Sequence, residues 1–121
     1  MTGRESLRDA LAALPGVVEA PSRWKPDLSF WVDAREIAHF EGPAAIDIRA
    51  TRAQLRAHPE WLADPTLATR HGPSSDWVEV RFDTPDGYSL ALAIARAAVA
   101  AHQPGSPRDR ERSERSRGVD L

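Results

Sequence analysis

The chain has 121 residues, 41% of them hydrophobic and 28% charged, a globular composition at the length of one domain. No apolar run approaches the ~18–20 residues of a membrane-spanning helix, and there is no cysteine. Integral helical membrane segments, disulfides, thiolate nucleophiles and cysteine-ligated metal centres are therefore excluded from these residues, and a formal charge of −2 lacks the basic excess of duplex-binding domains, so no nucleic-acid partner is expected.

The N-terminus shows no basic–apolar–small pattern, so the expectation is a cytoplasmic protein with no membrane partner. Thr2 and Glu5 have the spacing of a capping box, and Leu7, Leu11 and Leu14 share one helical face before Pro15-Gly16 ends the helix. Asp27 to Val32 alternates as a strand, with Leu28, Phe30 and Val32 on one face and Ser29 and Trp31 on the other. Arg35 to Phe40 reads as a second strand. After a Gly42-Pro43 turn comes a third, Ala45 to Arg49, with Ile46 and Ile48 inward and Asp47 and Arg49 outward.

Thr51 to His58 reads as a short helix with a second capping box, Thr51 and Gln54. Pro59 ends it or starts a further turn at Glu60-Trp61-Leu62, and Leu67 to Arg70 is a candidate edge strand. Asp76 to Phe82 alternates most strongly, with Val78, Val80 and Phe82 on one side and Trp77, Glu79 and Arg81 on the other. A last helix runs from about Asp86, which can cap it, to His102. Its apolar stripe is Leu90, Ile94, Ala97 and Ala101, widened by Leu92 and Val99.

These elements predict an α+β fold: a single antiparallel sheet of four to five strands with the N- and C-terminal helices packed on one face. Residues 1–103 form the domain. Residues 104–121, with five arginines and four acidic residues, form a tail too polar to offset its ordering entropy and are expected to be disordered.

The second face of the sheet gathers Trp31, Asp47, Arg49, Trp77, Glu79 and Arg81. Such a face is either a groove for a planar or anionic ligand or a solvated surface with weak cross-strand ion pairs. Periodicity alone favours the solvated surface, and the cost of leaving two tryptophans in water keeps the groove as the other reading. A histidine ordinarily titrates near neutral pH, so His39 is a candidate for proton transfer. Glu36 stands three residues before it, and in a regular strand the two point to opposite faces, so they act together only if a bulge intervenes. His39, His58, His71 and His102 show neither HxH nor HExxH spacing, so no metal site is expected, and the glycines form no phosphate loop.

Three segments carry a resemblance: Arg35-Glu36-Ile37-Ala38-His39-Phe40, then Ile46-Asp47-Ile48-Arg49-Ala50-Thr51-Arg52, then Ser75-Asp76-Trp77-Val78-Glu79-Val80, followed by an alanine-rich helix. Over roughly Leu14 to Ala101 the chain resembles the luciferase-domain family, which joins small bacterial proteins to the luciferases of luminous fungi. The fungal members oxidise a polyphenolic pyrone with dioxygen, without added flavin or metal. The resemblance therefore implies no cofactor, a small planar and phenolic ligand, and a cofactor-independent oxygenase. The family's strand histidine matches His39, preceded by Glu36, and its late tryptophan matches Trp77. Where fungal-type members often place a second histidine, this chain has Asp47, and the N-terminal membrane segment of those members is not seen in these residues.

Combined with the residue pattern, this points to His39 as the catalytic base. Glu36, Asp47, Arg49, Arg52 and Trp77 are then the substrate-binding set: the arginines stabilise an anion, and Trp77 and Trp31 stack on a ring. The alternative is a non-enzymatic protein-interaction module in which the tryptophans mark an interface with a partner of unknown identity and His39 is structural.

Overall fold

The computed structural model describes residues 3–72 and 74–105. Thr2 of the first expected capping box, and the expected tail beyond Gly105, lie outside the described residues. The elements in order are α1 (Gly3–Ala12), β1 (Val17–Pro21), β2 (Leu28–Val32), β3 (Arg35–Phe40), β4 (Ala45–Arg49), α2 (Arg52–Ala57), α3 (Pro59–Leu62), β5 (Leu67–Ala68), β6 (Trp77–Arg81) and α4 (Pro85–His102). The strands form one antiparallel sheet in the order β1-β2-β3-β4-β6-β5. The fold is α+β with the terminal helices on one face, and among the described residues it has six strands rather than four or five.

The additional strand is β1. Val17-Val18-Glu19-Ala20-Pro21 has no clean alternation of buried and exposed positions, which is why periodicity does not reveal it. It pairs only with β2, and Pro21 suits such an edge because its missing N–H is not needed by a second neighbour. Of Leu67 to Arg70, only Leu67 and Ala68 pair, at the opposite edge.

One face of the sheet carries Phe30, Val32, Ile37, Ala38, Ile46, Ile48, Val78 and Val80, all buried against Leu7 and Leu11 of α1 and the inner side of α4. Each such large side chain contributes about 1.5–3 kcal/mol by leaving water. Leu28, expected inward, is 43% exposed at the start of β2. The α4 stripe is also rotated from the expected one. Gly87, Ala91, Ile94, Ala95, Ala98, Val99 and His102 are buried, so small residues face the sheet while Leu90 and Leu92 flank it. Thr84, not Asp86, caps α4, its hydroxyl accepting from the Gly87 N–H at 3.1 Å. The Thr51–Gln54 capping box forms in full, and Pro59 opens α3.

Asp33 and Ala34, at φ 49° and 65°, join β2 to β3 in a two-residue turn with both central residues left-handed. An alanine there is strained, by about 1–2 kcal/mol. Part of that is returned to the unfolded chain by glycine's extra freedom. Ala34→Gly is therefore expected to raise stability by about 0.5–1 kcal/mol, read as a higher urea midpoint at an unchanged slope. A lower midpoint would show that the turn is not strained.

One irregularity positions the functional face. Phe30 pairs with Ala38, but Trp31 pairs with Glu36, so Ile37 is left without a partner. This is a β-bulge in β3. Ile37 and Ala38 both enter the core, and Glu36 and His39 come to the opposite face together.

Among the described residues no helix is long and apolar enough to cross a membrane.

Candidate functional site

The bulge makes Glu36 and His39 neighbours. His39 Nδ1 donates to Glu36 Oε2 at 3.0 Å, and both residues are buried. The register of β3 on β4 sets His39 opposite Asp47, and β4 on β6 sets Asp47 opposite Glu79. His39 Nε2 therefore lies 3.2 Å from Asp47 Oδ2, and it also lies 3.2 Å from Glu41 Oε1 just beyond β3. From the loop before β6, His71 Nε2 reaches the same Asp47 Oδ2 at 3.1 Å. Glu79 is paired separately, with Arg70.

The loop between β1 and β2 closes over this row. Glu36 is its anchor: Oε1 accepts the Arg23 N–H at 2.6 Å and Oε2 accepts the Ser22 hydroxyl at 2.9 Å. The Ser22 oxygen in turn accepts the N–H groups of Trp24 and Lys25, each at 3.1 Å. The loop thereby presents Trp24, 54% exposed, and Lys25, whose Nζ sits 2.9 Å from Glu41 Oε1. Trp24 meets Trp77 edge-on with ring centroids 5.4 Å apart, and Trp77 lies 5.1 Å from the His39 ring.

Together Trp24, Lys25, His39, Glu41, Asp47, His71 and Trp77 line a concave pocket of about 370 Å³. That is the lower end of the range for small-molecule sites. Two aromatic walls stand above a floor of imidazole and carboxylate, with one ammonium group at the rim.

The charge distribution perturbs two titrations. Burial alone pushes His39 down, but the hydrogen bonds and negative charges of Asp47 and Glu36 together outweigh it, so its pKa lies above the ordinary 6.5. Burial alone pushes Asp47 up, but hydrogen bonds from His39 and His71, and one with Glu41, outweigh it and hold its carboxyl below the ordinary 3.8.

The sign of the linkage follows. For His39 the folded state keeps a proton that the unfolded chain loses first, so its stabilisation is complete below about pH 6.5 and disappears as pH rises through the folded value. For Asp47 the stabilisation is present above about pH 3.8 and disappears as pH falls through the folded value. The groups facing the pair are Glu36, Glu41, Glu79, His71 and Lys25. The thermal midpoint is expected to be highest in the mildly acidic window and to decline on the alkaline side. In His39→Gln that alkaline decline flattens. A midpoint that rises steadily through neutrality in the wild type would contradict the pairing.

Of the residues singled out from sequence, His39, Asp47 and Trp77 line the pocket. Glu36 lies behind His39 rather than on the wall. Arg49 stands opposite Trp77 in the register but does not line the pocket, and Arg52 faces a different groove with Leu55, Arg56 and Leu62. Trp31 pairs with Glu36, away from the opening. The cation at the pocket is Lys25, the chain's only lysine. Trp24, Lys25, Glu41 and His71 were not among the sequence-derived site residues. The available signal was local: Ser22-Arg23-Trp24-Lys25-Pro26 places an aromatic and that lysine in one turn. His58, stacked on Trp61 at 3.9 Å, and His102, whose Nδ1 donates to the Ala98 carbonyl, take no part.

No family model matches the chain, and no curated protein matches it. The chemistry of the pocket therefore has to be argued from its own geometry.

Proposed function

We propose that the protein binds a small planar molecule bearing a phenol or enol in the pocket beside Trp24 and Trp77, and that His39 takes the proton that converts it to an anion. The observation that carries this reading is the placement of His39 on the floor of an aromatic-walled pocket, with Nδ1 committed to Glu36 and Nε2 facing the pocket carboxylates Asp47 and Glu41. Glu36 and Asp47 make the imidazole a stronger base by stabilising its protonated form. They also retain its resting proton to higher pH, so proton abstraction rises with pH through the raised His39 value. Lys25 at the rim supplies the positive charge for the anion.

The resemblance to luciferase domains supports the reaction class, a cofactor-independent oxygenase. The deprotonated phenol or enol is the electron-rich form that reacts with dioxygen, the co-substrate. The fold alone does not select this reaction.

The test is thermal unfolding of wild type, His39→Gln and His39→Ala with planar phenols, pyrones and flavins. A ligand at a hundredfold excess over its dissociation constant stabilises the native state by about 2.7 kcal/mol. The expected result is a shift with a phenol or pyrone in wild type that is lost in both variants, followed by oxygen consumption in wild type alone. Shifts that survive in both variants would remove His39 from the site. No shift with any compound would favour the non-enzymatic interaction module, with half-exposed Trp24 as its contact.

A further inference from the structure

We infer that the floor of the pocket is a divalent-metal site in which His39 Nε2, Glu41 and Asp47 supply the ligand atoms and Glu36 orients His39 from behind. The donor atoms of His39, Glu41 and Asp47 lie within 4.8 Å of one another. His39 Nε2 lies 3.2 Å from Asp47 Oδ2 and 3.2 Å from Glu41 Oε1. Nitrogen and oxygen atoms each about 2.0–2.2 Å from one ion are roughly 3.0–3.5 Å apart along the edges of a tetrahedron or octahedron. The observed separations match those edges.

As hydrogen bonds they are long. A charge-assisted N–H···O contact is usually about 2.7–2.9 Å. The single Nε2–H of His39 also has two carboxylates to serve, Asp47 and Glu41, each 3.2 Å away.

Two independent observations point to a cation. Asp47 Oδ1 is buried and accepts no hydrogen bond from the described residues, and the residue as a whole is only 3% exposed. A carboxylate oxygen in that position lacks a positive partner. In addition, a carboxylate behind the distal nitrogen of a histidine, as Glu36 is behind His39, is the usual support of a metal-bound imidazole. The charges agree. Glu36, Glu41 and Asp47 face Lys25 and the proton on His39, and a metal ion would replace that proton.

One imidazole with two carboxylates suits a transition-type ion such as zinc, manganese, iron or cobalt better than calcium or magnesium, which prefer all-oxygen sets. The remaining coordination positions open into the pocket beside Trp24 and Trp77. Histidine spacing gave no warning because the ligands come from β3, the residue after it and β4. This inference does not require the planar-ligand reading. With metal bound, His39 acts as a ligand rather than as a base.

The untagged full chain, stripped with chelator, is titrated with Co²⁺ without any organic ligand. Visible absorption, released protons and thermal unfolding are followed together. The expected result is one Co²⁺ per chain with a ligand-field band, proton release on binding, and stabilisation by Co²⁺ or Zn²⁺ but not by Ca²⁺ or Mg²⁺. Glu41 has 26% of its side chain exposed, so Glu41→Gln keeps the fold while weakening Co²⁺ binding tenfold or more. Asp47→Asn abolishes the band. Absence of a band and of stabilisation at millimolar metal overturns the proposal, as does binding that neither substitution weakens. Phenol binding is measured separately on metal-free protein, so either reading can fail without the other.

Discussion

Glu36→Ala is expected to lower the unfolding free energy by about 3–5 kcal/mol, the range for removing one partner from a buried ionic network. Glu36 is 2% exposed, and its two oxygens accept from the Arg23 N–H, the Ser22 hydroxyl and His39 Nδ1. Alanine would leave all three donors without their acceptor, His39 in a buried position and Ser22 and Arg23 in a partly buried one, and a donor left unpaired away from water carries its full desolvation cost. The effect extends beyond stability. Ser22 holds the N–H groups of Trp24 and Lys25, so loss of the anchor frees the loop that forms one pocket wall. The variant is expected to unfold at lower urea and to show altered Trp24 fluorescence while still folded. Glu36→Gln keeps one carbonyl oxygen but presents an amide in place of the second. It should fall between wild type and Glu36→Ala, with His39 titrating at lower pH. A loss under 1 kcal/mol in Glu36→Ala, with the loop unchanged, would show that water replaces the carboxylate and that the network is not the anchor described here.

Gly87→Ala is expected to destabilise by about 2–3 kcal/mol, at the upper end for overpacking, because what it strikes is backbone. A Cβ on Gly87 would lie 2.1 Å from the Arg81 carbonyl oxygen and 3.1 Å from the Thr84 hydroxyl that caps α4. Neither the end of β6 nor the first turn of α4 is a flexible side chain that can swing aside. The helix has to lift from the sheet at its N-terminal end, loosening the cap and the seats of Ala91 and Ile94 beneath it. Helix propensity runs the other way, since alanine is favoured over glycine by about 1 kcal/mol in a helix interior. A stabilised variant would show that α4 can shift without cost. The substitution lies on the helical face of the sheet, so metal or ligand binding should persist in the fraction that remains folded. Glu36→Ala differs in this respect, because it strikes the pocket directly.

The class of the fold was legible because its strongest signals are local. Val78, Val80 and Phe82 alternate with polar partners, Thr51 and Gln54 form their box within one turn, and Gly42-Pro43 reverses the chain. These patterns depend on neighbours in sequence, and tertiary packing did not override them. β1 was not legible, because an edge strand of mixed burial has no period to detect. The stripe of α4 was misplaced by weighting leucines over alanines. Close packing of the helix on a sheet favours the small residues Gly87, Ala91, Ala95 and Ala98.

The candidate site divides along the same line. Composition and pattern alone mark out an α+β domain with a polar sheet face bearing Asp47 and Trp77 among others, and His39 as a separate candidate on the neighbouring strand. Whether Glu36 joins them depends on Ile37 dropping out of register, a consequence of β3 meeting β2 and not of either strand alone. Likewise Glu41, His71, Trp24 and Lys25 converge on His39 from separate loops, and no spacing along the chain encodes that distance. Faces of strands and helices follow from periodicity. Convergence across strands and loops follows only from pairing, bulge and closure, which the folded chain alone brings into being.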